Sequence, residues 1–391
     1  MNKFIKGRSL VIPQALTPGK SLATATQRFV IANGLALMTL IVFVLAPPVQ
    51  AMTINVTYDS SVTSLANAAQ VETAFAAAAQ TIQNLYTNPI TVNITVFFSS
   101  GVNLGQSSTQ LTGNPAYADL TNALCAVRST AADSNSVASL PPNDPTGGTW
   151  WIPTAEAKAL GSIGGFVYVA PDDPSQDGSI YFASLVSYTF DPNNRAVSGK
   201  YDFIGVAEHE LTEVLGRIFG LNYNFTGNLP YDLFRFTSSG TRSLNANDTG
   251  VYFSVNDGVT SLKSFYPNVT LGDVQDWQSS TPPDSFDAFV SSGHELILSS
   301  ADLTALDILG FNLNFHPPRV KGVKLGDGTF QISFTNAPGL GFAVLGSTNI
   351  ALSVSNWTVL GAPTESPAGQ YQFIDSAAAS NQKRFYRVSL P

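Results

Sequence analysis

The chain has 391 residues, 44% of them hydrophobic and 12% charged, which is the composition of a globular protein and excludes intrinsic disorder. Its length allows two or three domains with a sizeable core. The 27 acidic residues outnumber the 19 basic ones, and the net charge of −8 argues against nucleic acid or anionic lipid as a partner. Cys125 is the single cysteine, so it excludes an intrachain disulfide, and we expect it to be a small buried core residue.

Residues 1–51 have the pattern of an export signal. Residues 1–28 contain five basic side chains and no acidic one, residues 29–46 are almost entirely apolar, and Ala51 ends a small-residue cleavage pattern. We therefore predict cleavage after Ala51 and a mature chain that is secreted, periplasmic or on the cell surface, with no membrane anchor. An uncleaved anchor is the alternative, because the apolar run is nearly long enough to span a bilayer.

The chain that follows predicts an α/β layer protein. Thr53–Tyr58 and residues 90–98 alternate as strands, and residues 64–86 between them have the pattern of a long amphipathic helix. A strand, a long helix and a second strand suit a βαβ unit with a parallel sheet. Further expected elements are a helix over residues 115–132, a loop over 133–149, a short helix over 156–160 and a strand over 164–169.

Acidic residues cluster before the next strand. Asp172, Asp173 and Asp177 lie ahead of a glycine turn, a pattern that suits either a structural Ca²⁺ ion or an ordinary Asp-rich turn. The turn is the preferred interpretation, because the full spacing of a calcium loop is missing. The same two interpretations apply to residues 245–248.

The most informative stretch is residues 201–220, which read YDFIGVAEHELTEVLGRIFG. Its apolar residues recur at helical spacing, Asp202 suits an N-cap and Gly220 suits a stop, so a helix is predicted. His209 and Glu213 are four residues apart and share one face of that helix. A histidine and a carboxylate one turn apart can hold a divalent metal ion.

Glu210 lies beside this pair of candidate ligands, where it can take a proton from metal-bound water. A third ligand has to come from downstream in the chain. Asp232 is the first candidate, because it follows the helix after a short loop. His294 and Asp307 are weaker candidates.

The stretch resembles the active-site helix of secreted zinc metallopeptidases of the metzincin type, especially the matrixin-like ones, whose pattern is HExxHxxGxxH. Residues 202–203 supply the upstream Asp-Phe, and His209, Glu210 and Gly216 match the pattern. Residues 298–311 resemble the closing segment of the same domains. The resemblance implies a mixed sheet with long helices, a Zn²⁺ cofactor, protein or peptide substrates, and Glu210 as general base.

Two positions depart from the family pattern. Glu213 stands where the family has its second histidine and Phe219 where it has its third, and no methionine follows the helix to form a Met-turn.

The resemblance implies that residues 179–184 form an edge that binds substrate as an added strand. It also implies that Tyr231 or Tyr266 stabilises the oxyanion.

An interpretation without metal is also open. Arg217 lies four residues after Glu213, the favoured orientation for a helical ion pair, and it can also pair with Asp232. Glu208, Glu210 and Glu213 would then form a solvated acidic face. Three carboxylates so close together repel one another unless a cation lies among them, and either a metal ion or Arg217 supplies that charge.

The rest of the domain contains fewer signals. Residues 231–236 and 251–255 predict strands, and residues 298–311 predict a helix that begins at Ser299 or Ser300. The leucines that this helix is expected to bury are Leu303, Leu306 and Leu309.

The domain organisation follows from a proline-stiffened linker at residues 314–318. Residues 52–313 are the metalloprotease-like domain, and residues 319–391 are a small all-β sandwich. The strands expected in it are residues 329–335, 341–347, 356–361, 370–374 and 384–389. It is similar to C-terminal β-modules of secreted bacterial proteins, and it either binds cell-surface or extracellular material or caps the fold.

The sequence therefore predicts an exported zinc metallopeptidase with an α+β catalytic domain and a C-terminal β-module. His209, Glu213 and Asp232 are the expected metal ligands and Glu210 is the expected catalytic base. The alternative is a catalytically inactive protein of the same fold that binds surface or extracellular material.

Overall fold

The computed structural model describes residues 2–3, 52–165, 167–221, 226–314, 317–336, 340–367, 369–381 and 383–390. Most of the predicted signal peptide, residue 166 of the predicted strand 164–169, and part of the linker at residues 315–316 lie outside the described residues. The described chain is mixed α/β with several sheets. Among its helices, none combines the length and the apolar character that crossing a bilayer requires.

A four-stranded mixed sheet lies at the centre of the first half of the chain. Its strands are, in spatial order, Thr53–Tyr58, Thr91–Ser99, Gly178–Ala183 and Gly105–Thr109. The first three are parallel, and Gly105–Thr109 is antiparallel to its neighbour. The strand over residues 90–98 was therefore predicted correctly to within one residue.

The predicted edge strand is not an edge. Gly178–Ala183 is bonded on both sides, and Gly105–Thr109 takes the outer position. The sequence gives little sign of this outer strand, because its inward residues are only glycine, serine and threonine. Small side chains are needed there: a Cβ at Gly105 would collide with Val206 and Glu210.

Two helices cover the same face of this sheet. Ala68–Leu85 and the central helix, Phe203–Leu215, place Phe75 and Phe203 against Phe182 on the sheet, with ring centroids 6.1 and 4.4 Å from it. The remaining helices are Ser60–Thr63, Tyr117–Val127, Ala131–Ala138, Thr154–Leu160 and Ser300–Asp307.

Several predicted boundaries were wrong. The predicted loop over 133–149 begins inside the helix Ala131–Ala138, whose N-cap Thr130 accepts a hydrogen bond from the Asp133 amide at 3.0 Å. The predicted strand over 164–169 is absent from its described residues, because Gly164 and Gly165 have positive φ angles of 58° and 73° and form a turn. Cys125 is only partly buried.

The second half of the domain is built from short strands. A second four-stranded sheet contains, in spatial order, Thr241–Arg242, Arg235–Ser238, Tyr252–Phe253 and Lys263–Ser264. The predicted strand over 231–236 begins instead as the 3₁₀ turn Pro230–Phe234. The two-stranded pairs are Leu111–Thr112 with Ile152–Pro153, Tyr188–Thr189 with Tyr201–Asp202, and Asn2–Lys3 with Phe289–Val290.

The closing helix, Ser300–Asp307, begins as predicted. Ser299 is its N-cap, and the Ser299 amide donates to the Asp302 carboxylate at 2.6 Å, which completes a capping box. The three leucines expected to be buried are 3%, 1% and 0% exposed: Leu303, Leu306 and Leu309.

The C-terminal residues form two small sheets. The strands of the first are, in spatial order, Lys321–Lys324, Phe330–Thr335, Gln370–Asp375 and Thr364–Glu365, and those of the second are Thr358–Gly361, Ala343–Ser347 and Phe385–Ser389. Phe330 and Tyr386 stack across them with ring centroids 4.9 Å apart. The sequence-based prediction missed two of these strands, Lys321–Lys324 and Thr364–Glu365. The boundary at residues 314–318 stays a prediction.

Candidate metal centre

A side-chain cap begins the central helix and a glycine with positive φ ends it. The Asp202 side chain accepts a hydrogen bond from the Ile204 amide at 3.2 Å and caps its first turn. Gly216 ends it with a φ of 131°, a conformation that glycine adopts readily and other residues avoid. The predicted stop at Gly220 was therefore four residues too late, because any positive-φ residue terminates a helix at the first position where it occurs.

The ionisable residues of this helix are buried. Glu208 is 0% exposed, His209 and Glu210 are 2% exposed, and Glu213 is 6% exposed. The prediction of a solvated acidic face is therefore wrong. Buried charges are costly unless they are paired or bind a metal ion, so each of these groups needs a partner.

Three of the buried groups converge. The Nε2 atom of His209 lies 3.5 Å from Glu213 Oε1 and 3.4 Å from Asp276 Oδ1. Each of the three residues offers one ligand atom, and these atoms all lie within 4.8 Å of one another. His209, Glu213 and Asp276 can therefore hold a metal ion together.

Sequence reasoning missed Asp276. It lies in an irregular segment more than 60 residues after the helix, where its backbone carbonyl accepts a hydrogen bond from Tyr266 at 2.7 Å. The only local signal is a carboxylate beside Trp277, which is fully buried. No spacing rule connects such a residue to the helix, because the fold of the intervening chain sets its position.

The third ligands that the sequence predicted lie elsewhere. Asp232 accepts a hydrogen bond from the Leu229 amide at 2.9 Å and so caps the 3₁₀ turn. His294 is exposed, and Asp307 accepts a hydrogen bond from Thr130 at 2.5 Å. None of the three predicted residues joins the cluster of His209, Glu213 and Asp276 found among the described residues.

His209 is held in one orientation by the backbone. Its Nδ1 atom lies 2.8 Å from the carbonyl oxygen of Ser285, and a carbonyl can only accept, so Nδ1 must carry a proton. The opposite nitrogen, Nε2, faces two carboxylate oxygens, which also only accept. A proton, on the ring or on one of the two carboxyl groups, or a metal ion therefore has to lie between Nε2 and these oxygens.

Glu213 is fixed by side chains from two directions. Its Oε2 accepts a hydrogen bond from Ser107 at 2.7 Å, and its Oε1 accepts one from Gln275 at 3.0 Å. Burial alone would raise the pKa of Glu213, but His209, Arg217 and Gln275 lower it to about 2. Glu213 is thus ionised at neutral pH, as a metal ligand has to be.

Arg217 is the cation that the cluster already contains. Its NH1 atom lies 2.7 Å from Asp276 Oδ1, and its NH2 atom lies 3.6 Å from Glu213 Oε1. The predicted pair with Glu213 is confirmed, whereas the predicted partner Asp232 is replaced by Asp276. The second carboxylate oxygen of Asp276, Oδ2, is buried and accepts no hydrogen bond from the described residues, so the site has acceptor capacity that Arg217 does not use.

Glu210 points toward the outer strand, where Gly105 leaves room for its carboxyl group. Burial, and then the negative charges of Glu213 and Asp276, raise the pKa of Glu210 well above its usual range. Glu210 is therefore a neutral acid while the cluster lacks added positive charge. An acid next to a potential metal site, with a pKa that depends on the charge of that site, can store and release a proton.

The tyrosines proposed for the oxyanion lie in different environments. Tyr231 is fully buried, and its ring packs on Phe219 with centroids 4.8 Å apart. Tyr266 is half-buried, and its ring contacts Phe289 with centroids 4.9 Å apart. Tyr231 is therefore a core residue, and a role in stabilising an oxyanion stays a prediction for Tyr266.

The Asp-rich turn holds a lysine rather than showing an open cation site. Lys158 is 2% exposed, and its Nζ atom lies 2.6 Å from Asp177 Oδ2, 2.8 Å from the Thr91 carbonyl and 3.2 Å from the Asp173 carbonyl. The ammonium group thus sits among the oxygens that a Ca²⁺ ion would use. The preferred interpretation of an Asp-rich turn agrees with this geometry.

Comparison of the chain with protein-family models, with curated proteins and with solved structures finds no match to any of them.

Proposed function

We propose that this chain is a zinc-dependent hydrolase of the metallopeptidase type, in which His209, Glu213 and Asp276 hold the metal and Glu210 is the general base. The observation that carries the proposal is the convergence of three buried acceptor atoms within 4.8 Å of one another, with the histidine fixed so that Nε2 faces the two carboxylates. One imidazole nitrogen and two carboxylate oxygens are a donor set that Zn²⁺ accepts.

The residues around the cluster have distinct tasks in this proposal. A bound Zn²⁺ ion would act as a Lewis acid and would lower the pKa of a water molecule beside it. Glu210 would ionise when positive charge enters the cluster, because an opposite charge nearby stabilises a carboxylate. It would then accept a proton from the attacking water and return it to the leaving amine.

The polar partners keep the ligands in place. Ser107 and Gln275 hold the Glu213 carboxylate from the outer strand and from the downstream segment, at 2.7 and 3.0 Å. The Ser285 carbonyl orients the imidazole of His209. Hydrogen bonds to the ligand side chains fix the ligand geometry of metal sites and raise their affinity.

We also propose that the protein is exported. The C-terminal sheets would retain it at a surface. The apolar run and cleavage pattern of residues 1–51 support export. The substrate would be a protein or peptide, as the similarity of the HExxE helix to metzincin helices implies.

A second candidate function is a catalytically inactive binding protein. It is favoured by the contact of 2.7 Å between Arg217 and Asp276, because the guanidinium supplies positive charge to the cluster without a metal ion. The two functions differ in metal content. An inactive protein of this kind would contain no bound zinc.

The deciding experiment measures zinc stoichiometry and peptide hydrolysis for the purified chain and four variants. We expect one zinc per chain in the wild type and in Glu210→Ala, which loses only hydrolysis because the base is not a ligand. Glu213→Ala and Asp276→Ala should lose both zinc and hydrolysis. Asp232→Asn is the matched control, since it removes a buried aspartate outside the cluster, and it should keep its zinc. A wild type that contains no zinc after purification without chelator, and binds none when zinc is added back, would refute the proposal.

A further inference from the structure

A second group of buried charges lies beside the candidate metal centre. Arg195 contacts both carboxylate oxygens of Asp202, with its Nε atom 3.1 and 2.9 Å away. The same guanidinium lies 3.6 Å from Glu208 and 3.4 Å from Glu295. Arg195, Asp202 and Glu208 are at most 6% exposed, whereas the Glu295 side chain is 48% exposed.

This group is connected to the metal centre through one residue. The hydroxyl of Ser285 donates a hydrogen bond to Glu208 Oε2 at 3.1 Å, and the carbonyl of Ser285 accepts from His209 Nδ1 at 2.8 Å. The Ser285 amide donates to the Ile297 carbonyl at 2.8 Å. Ser285 is thus fixed on three sides, and its carbonyl has to face His209.

Glu208 has two polar contacts, the Arg195 guanidinium at 3.6 Å and the Ser285 hydroxyl at 3.1 Å. The N-terminus of the central helix is already capped by Asp202, and Asp202 is the main partner of Arg195. The second oxygen of Glu208, Oε1, is buried without a hydrogen-bond partner among the described residues. A buried carboxyl group with one unsatisfied oxygen costs free energy of folding, and the hydrogen bond from Ser285 is the contact through which Glu208 reaches the metal centre.

We propose that Glu208 is a positioning residue that acts through Ser285 to keep His209 oriented with Nδ1 protonated and Nε2 turned toward Glu213 and Asp276. The expected effect on zinc affinity rests on the proposed function. The effect on the orientation of His209 does not, and it can be measured in the metal-free chain.

The experiment compares four variants of the full chain. Ser285→Ala removes the hydroxyl that bonds Glu208 but leaves the carbonyl, and Glu208→Leu removes the carboxylate. Glu208→Gln keeps an acceptor at the same position and is the conservative rescue. Glu295→Gln is the matched control, because Glu295 contacts Arg195 but not Ser285.

The first measurement is the exchange rate of the His209 Nδ1 proton with solvent, by NMR of the metal-free chain, which has three histidines. We expect faster exchange by about tenfold or more in Ser285→Ala and Glu208→Leu, and rates near the wild type in Glu208→Gln and Glu295→Gln. The second measurement is zinc affinity by chelator competition. We expect about a 10- to 100-fold loss in the first two variants only.

Unchanged exchange and unchanged zinc affinity in Ser285→Ala would overturn the inference, and so would faster exchange with unchanged affinity. Ser285→Ala decides the matter even where Glu208→Leu does not fold, because the loss of one hydroxyl is a small perturbation. A wild type without zinc would refute the proposed function. In that case the Nδ1 exchange rates alone would support or overturn the orienting role of Glu208.

Discussion

Glu156 provides the sharpest test of the electrostatics of this fold. It lies in the helix Thr154–Leu160, its side chain is 0% exposed, and neither carboxyl oxygen has a hydrogen-bond partner among the described residues. Its carboxyl group packs against Gly216, where a Cβ would lie 2.8 Å from Oε2. Burial raises the pKa of Glu156 well above its usual value of 4.5, so the group is neutral in the folded chain.

The sign of the pH dependence follows from linkage. Above pH 4.5 the unfolded chain releases the Glu156 proton and the folded chain keeps it, so the free energy of unfolding falls as the pH rises. The loss is about 1.4 kcal/mol per pH unit until the folded pKa is reached. Glu156→Gln has no proton to release and escapes this loss. Its stability relative to the wild type should therefore increase as the pH rises above 4.5, by up to about 1.4 kcal/mol for each pH unit.

Urea unfolding followed by tryptophan fluorescence measures this difference. The variant and the wild type should have similar free energies of unfolding near pH 4, within about 0.5 kcal/mol, and should diverge as the pH rises. Other titrating groups cancel in the difference between the two proteins. Glu156→Met should be more stable than Glu156→Gln at every pH, by about 1–3 kcal/mol, because it buries no unsatisfied polar atom. A difference that does not change with pH would refute the reasoning.

Three further predictions concern the scaffold. Lys158→Met should destabilise the chain by about 3–5 kcal/mol in urea unfolding, because it leaves Asp177 buried without its cation, and adding Asp177→Leu should recover most of the loss. Gly216→Ala should cost at least about 1–3 kcal/mol by the same measurement, because φ is 131° there and the new methyl group would press on Glu156; a neutral effect would contradict both reasons. Residues 319–391 alone should unfold cooperatively, and a gradual transition by circular dichroism would show that the module depends on the rest of the chain.

The sequence alone determined the elements that have a strong local pattern. The alternating residues of Thr53–Tyr58 gave the strand at the residues observed, and the Ser299 capping signal gave the start of the closing helix. The central helix was predicted from its apolar spacing and from Asp202. In each case the information lies within a few residues, because periodicity and capping are local interactions.

The same local information placed His209 and Glu213 on one face and Glu210 beside them. It did not reveal that these groups are buried, because charged residues on a helix usually face solvent. Burial decides which partners are needed, and distant segments supply it, among them the outer strand Gly105–Thr109 and the segments around Asp276 and Ser285.

The tertiary structure alone decided the third candidate metal ligand and the order of strands in the central sheet. Asp232 was the nearest carboxylate in sequence, but a local cap uses its side chain, and Asp276 reaches the cluster from far along the chain. The strand Gly178–Ala183 became internal because small side chains let Gly105–Thr109 pack against the central helix. Contacts between distant segments depend on how several faces pack at once, and no spacing within one segment encodes that outcome.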